Sequence, residues 1–255
     1  MNKIYAIALN TFRESIRDKV FYSLLFFAVI LVLFSIILGK LTIGDPLKIV
    51  KDFGLGSISI GGTLIAIFVG VGMVYKEMEK RTIFIILSKP ISRWQFLMGK
   101  YLGLAITITI EVVVMTILLF GLCLTYDNQI PWNLLIAIVA IFFEIIVILA
   151  FAIFFSAFSS PFLSGMFTLG IFIIGHFTQD LKQLAYATED ATFKALADGA
   201  YYVLPNLEFL NYKTQVVHQL PIVTQEILLS YAYAICYAAV VIIAAIFIFE
   251  RRDIT

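Results

Sequence analysis

"KEMEKRTIFIILSKPISRWQFLMGK", residues 76–100, carries six Lys or Arg and two Glu in a chain that is 62% hydrophobic. Near-continuous apolar runs flank it on both sides, at about 57–75 and 102–125. A run of about 18 or more apolar residues reads as a membrane-spanning helix, because only a helix satisfies each of its own backbone groups inside lipid. The charged stretch is therefore a connection between two spans, held at a membrane surface. It is also far longer than a connection requires.

Working outward, the same criterion gives six spans, at about 21–39, 57–75, 102–125, 133–157, 162–178 and 227–249. The fifth is the shortest. The composition agrees: mean hydropathy is +1.01 and only 14% of residues are charged, against roughly 25% in soluble domains. A net charge of +1 points to no nucleic acid or other polyanionic partner. Cys123 and Cys236 both fall within spans, with no CxxC and no metal spacing. The first span is too long for a signal-peptide core, and "SIILGKLT" lacks small residues spaced for cleavage.

Lys and Arg placement sets the expected orientation. With the N-terminus inside, twelve of the eighteen lie in internal segments and six in external ones, namely Lys40, Lys48, Lys51, Lys182, Lys194 and Lys213. Both termini are then cytoplasmic. Tyr75, Trp94 and Tyr101 belong at the inner interface, Tyr126 and Trp132 at the outer one.

Ahead of the first span, residues 1–19 contain an amphipathic segment. Tyr5, Leu9, Phe12 and Ile16 form one helical stripe; Asn10, Arg13, Glu14, Arg17 and Asp18 lie opposite. This pattern predicts an interfacial helix along the membrane, and a plain juxtamembrane anchor fits it as well. The stretch 179–226 is a longer external loop with one or two short helices, too short and too apolar for a separate soluble domain. The expectation is thus one all-α integral membrane domain over residues 1–255. It has six transmembrane helices, the N-terminal interfacial helix, a cytoplasmic helix between the second and third spans, and short external helices between the fifth and sixth.

Within 76–100, "VYKEMEKRTIFIIL" continues a span into a helix. Pro90 disfavours helix at Lys89, and Ser92 is placed to cap a helix that leads into the third span. A helix–turn–helix of this size suits a docking surface for a cytoplasmic partner. A positive-inside signal with headgroup contacts accounts for the same charges. The segment "EKRTIFIILSKPISRWQFLMGKYLG" resembles the cytoplasmic segment of ABC-2 type transporter permeases, in which a glutamate, a basic-Thr step, "LLSKP(V/I)SR" and "GK" recur before the third span. "TFRESIRDKVFY" is similar to the N-terminal helix of that family and "FERRDI" to its short tail. The likeness covers essentially the whole chain. The subgroup it resembles most serves maturation of multicopper enzymes such as nitrous oxide reductase.

The resemblance implies a permease of a prokaryotic inner membrane that works as a pair, bound to two copies of a cytoplasmic ATP-binding subunit. On that reading Glu77, Glu79, Lys80, Arg81, Pro90 and Arg93 match the coupling segment, and Arg13 and Arg17 the N-terminal helix. None is catalytic. The chain has no GxxxxGK[ST] loop, because "MGKYLG" lacks the upstream glycine and the Ser/Thr. ATP and Mg therefore belong to the partner, and no cofactor or metal is expected here. A permease of this kind can also transmit force to an external or periplasmic accessory protein through 179–226.

Glu111 and Glu144 are the candidates for a translocation path. Charge at bilayer depth is expensive, so such residues usually face the interior of a bundle. At about 1.5 Å per residue, each lies roughly 15 Å into a core about 30 Å thick, and the two are close enough in depth to meet. No Lys or Arg is predicted beside them, which favours a proton on at least one. A structural acid bonded to Thr107, Thr109 or a backbone carbonyl explains them equally well. His176 falls at the outer end of the fifth span and His218 in the external loop; two unspaced histidines make a poor metal site. Glycines in "GLGSISIGGT" and "FVGVGM" suit close helix packing. An ATP-independent carrier using Glu111 and Glu144, and a membrane anchor of an assembly complex, remain alternatives to the permease.

Overall fold

The computed structural model describes residues 3–79, 92–188 and 190–251, with backbone alone at 74–79 and 191. All regular structure among the described residues is helical, with no strand. In chain order they form α1 (Lys3–Arg17), α2 (Lys19–Leu41), α3 (Pro46–Glu79), α4 (Arg93–Tyr126), α5 (Leu134–Ser156), α6 (Pro161–Ala187), α7 (Ala191–Val203), a short 3₁₀ turn (Glu208–Leu210), α8 (Lys213–Val217) and α9 (Thr224–Arg251). Six of these, α2 to α6 and α9, are long and apolar enough to cross a membrane.

Three helices outrun their apolar cores. α3 begins at Pro46, so Lys48, Lys51 and Asp52 ride on a helix and the turn from α2 shrinks to 42–45. α4 begins at Arg93 and runs unbroken for 34 residues. Ser92 precedes it in extended conformation, and its backbone N–H donates to Gln95 Oε1 at 3.4 Å. α6 continues to Ala187, so the first nine residues of the expected external loop are helix. Hydropathy locates the apolar centre of a helix and not its ends, because the backbone ladder continues through polar residues that water can solvate.

Burial sorts the spans into an inner and an outer set. α3 and α5 have 78% and 72% of their most apolar windows buried, whereas α2 and α6 have 22% each. α5 is therefore the axis of the bundle, with α3, α4, α6 and α9 packed around it. Glycines allow the closest approaches. A Cβ at Gly62 would sit 2.3 Å from Ile145 Cδ1, and one at Gly61 would sit 2.6 Å from Ala28 Cβ. Gly54 faces Leu119 and Gly70 faces Leu149 and Ala152 in the same way, while Gly56 and Gly72 face open space. Small residues substitute here for the hydrophobic drive that lipid cannot provide between helices.

The segment after α6 folds back onto the bundle. Leu207 and Leu210 are fully buried, and the Leu207 N–H donates to the Gly175 carbonyl at 3.0 Å. Asn206 N–H donates to Tyr233 Oη at 2.9 Å, and Tyr212 Oη to Ser230 Oγ at 3.0 Å. Earlier, α6 and α7 are pinned side by side by Tyr186 Oη donating to Asp198 at 3.0 Å, with Lys182 3.7 Å from the same carboxylate.

Candidate functional site

Two polar regions stand out against the apolar bundle. The first is the basic end, where α1 meets the start of α4. The face of α1 that packs is the row Ala8, Thr11 and Ser15, all buried. The expected apolar stripe is turned away from the protein at Tyr5, which is exposed. α1 lies on Gly99 and Gly103 of α4, close enough that a Cβ at Gly103 would be 2.5 Å from the Ala8 carbonyl oxygen. Lys100, buried beside them, has its Nζ 3.6 Å from Glu14 Oε2 and 5.9 Å from the Phe96 ring. Desolvating an ammonium is costly unless a counter-charge accompanies it, so Lys100 and Glu14 hold the two helices in one register.

Of the expected coupling residues, Arg13 and Arg17 are exposed and line an open polar cleft with Asn10, Glu14 and Asp18. Arg93 points elsewhere. Its guanidinium donates to the Phe249 and Glu250 carbonyls at 3.1 and 3.0 Å, and Phe96 stacks on Phe249 at 6.1 Å. A cation beside backbone carbonyls toward a helix C-terminus is the favourable polarity, so Arg93 clamps the last described turn of α9. Glu77 and Glu79 stand on the last turns of α3, where only the backbone is described. Lys80, Arg81 and Pro90 lie outside the described residues.

The second region is in the middle of the bundle. Glu111 and Glu144 are both fully buried. Each approaches the same turn of α3, which carries Ser59, Gly61 and Gly62. Glu111 reaches the two glycines: a Cβ at Gly62 would be 3.0 Å from Oε2 and one at Gly61 3.6 Å from Oε1. Among the described residues neither oxygen has a hydrogen-bond partner. Thr107 and Thr109, two of the partners considered for a structural acid, donate instead to their own helix, at Gly103 and Ala105. The two carboxyls make no hydrogen bond to each other.

Glu144 has partners that its sequence context does not reveal. Ser59 Oγ donates to Oε1 at 3.2 Å, and His176 Nε2 lies 3.5 Å from the same oxygen. The site therefore joins α3, α5 and α6. With α6 extended to Ala187, His176 is mid-helix and not at its end. The signal that could have found the pair is depth: once α6 is allowed to run on, His176 and Glu144 fall at similar heights.

Six helices long and apolar enough to cross a membrane, with two buried carboxyls in their midst and an amphipathic helix fastened to one end, define a polytopic membrane protein. The sequence matches the ABC-2 family transporter proteins over residues 5–254, and the chain belongs to that family. The match is to the family as a whole and does not support kinship with the enzyme-maturation permeases in particular. No curated protein matches the chain.

Proposed function

We propose that this chain is the membrane subunit of an ATP-driven exporter, working as a pair and coupled to two copies of a separate cytoplasmic ATPase subunit in a prokaryotic inner membrane. The observation that supports this reading most is the fastening of α1 and α9 to the first turns of α4. Gly99, Gly103 and Lys100 hold α1, and Arg93 and Phe96 hold α9. A push applied at the basic end is delivered to α4, a continuous 34-residue helix, and so to Glu111 about 27 Å along it at 1.5 Å per residue.

On this reading the ATPase docks on the exposed α1 face with Arg13 and Arg17, together with Glu77, Glu79, Lys80, Arg81 and Pro90. Arg93 acts behind that surface, holding the frame. Both termini face the cytoplasm, as the twelve-to-six distribution of Lys and Arg favours. The folded-back segment and α7 form the surface open to an external accessory protein.

The test is a pull-down of the tagged chain in mild detergent, comparing wild type with Arg13→Ala/Arg17→Ala and with Glu79→Ala/Arg81→Ala. An ATPase that co-purifies with wild type and is depleted in the variants supports the assignment. Wild-type protein that brings down no ATPase would sink it and favour the ATP-independent carrier.

A further inference from the structure

We propose that Glu144 and His176 form a site for a single proton in the core of the bundle, tying α5 to α6. This goes beyond the ATP-coupled reading and stands on this chain alone.

The other ring nitrogen fixes the tautomer. His176 Nδ1 lies 2.9 Å from the Phe172 carbonyl oxygen, one turn back on α6. A carbonyl oxygen only accepts, so Nδ1 carries a hydrogen. In a neutral imidazole the remaining nitrogen, Nε2, is then bare. That nitrogen faces Glu144 Oε1 at 3.5 Å. A bare nitrogen opposite an ionised carboxylate would set two lone pairs against each other. Ser59 supplies its hydroxyl hydrogen to Oε1 and nothing to Nε2. Nε2 and Oε1 are matched by one more proton, on Nε2 as imidazolium–carboxylate or on Oε1 as imidazole–acid, while Glu144 Oε2 has no hydrogen-bond partner among the described residues.

In both forms the pair has zero net charge. Removing the proton leaves a buried carboxylate facing a lone pair; adding one leaves a buried cation. Both are penalised where water is excluded. Among the described residues, the surroundings offer no substitute charge in contact with the pair. α3 contributes the neutral Ser59. The 205–207 segment, packed on neighbouring Gly175, contributes no titratable side chain, and Glu208 beyond it accepts from Asn211. Asp180 follows one turn later on α6 itself. Glu111, on α4, lies against Gly61 and Gly62 and makes no contact with the pair. The His176 side chain keeps 20% of its surface exposed and that of Glu144 none.

The chain contains only two histidines, which makes the site directly observable. In a His218→Gln background, ¹⁵N-histidine-labelled protein in lipid nanodiscs reports each ring nitrogen of His176. The infrared difference between wild type and Glu144→Gln reports a carboxylic-acid band from Glu144. At neutral pH we expect Nδ1 protonated and one further proton: a protonated Nε2 without the acid band, or the acid band with Nε2 bare. A bare Nε2 with no acid band overturns the proposal, as does the presence of both protons, or a bare Nδ1. If Glu144→Gln does not fold, Glu144→Asp serves, because it shifts the acid band without removing it. No ATPase takes part, so failure here leaves the coupled-permease reading standing, and failure of that reading leaves this one.

Discussion

At Gly103, one methyl group decides whether α1 can lie on α4. It would be 2.5 Å from a backbone oxygen and 2.7 Å from Thr11 Cβ, and backbone cannot swing aside as a side-chain tip can. Gly103→Ala is expected to cost about 1–3 kcal/mol through overpacking, read as a lower unfolding temperature in detergent. Gly121→Ala is the control: nothing lies within 4 Å of its Cβ position, and no loss of stability is expected. Arg93 makes a second single-residue case. Arg93→Gln removes charge-assisted hydrogen bonds to the α9 carbonyls, which are worth about 1.5–3 kcal/mol for a charged group. Limited proteolysis should then cut the C-terminal end of α9 sooner than in wild type. At this scale the sequence flagged Glu111 and Glu144 by their cost in lipid. It could not pair Glu144 with His176, thirty-two positions away on another helix.

Among elements, α1 and α4 are expected to move as one body. In a background with Cys123 and Cys236 replaced, Glu14→Cys/Lys100→Cys puts two thiols where the Lys100–Glu14 ion pair bridges the helices, with no bulk added at Gly99 or Gly103. A short bifunctional thiol reagent should cross-link them within one chain and leave partner-stimulated ATP hydrolysis intact. Abolished stimulation would mean that α1 separates from α4 during the cycle. The amphipathic pattern of α1 was legible, but its packing face was not. The row that packs is Ala8, Thr11 and Ser15. It is chosen by how closely two backbones approach at Gly99 and Gly103, and the alternation of apolar and polar residues along α1 carries no trace of that distance.

For the whole molecule, an even number of spans places both ends on one side of the membrane. Single cysteines at Lys3 and Glu250 should label from one face, and at Asp127 and Gln219 from the other. A membrane-impermeant reagent on intact and opened cells checks this. Labelling of Lys3 and Glu250 from opposite faces would show that one of the six long helices does not cross.

The sequence by itself determined the helical class, the number of spans and the place of the charged connection. Lipid forces each crossing segment to satisfy its backbone locally, so length and hydropathy within one segment suffice. Only the tertiary structure decided which sides of those helices meet. α5 is apolar almost all round, so nothing in its pattern says which face receives α3 or α6, and a rotation of one residue turns it by about 100°. That rotation is fixed by where glycines admit a neighbour and by where Ser59 and His176 can reach Glu144. Those contacts exist only when all of the helices are in place.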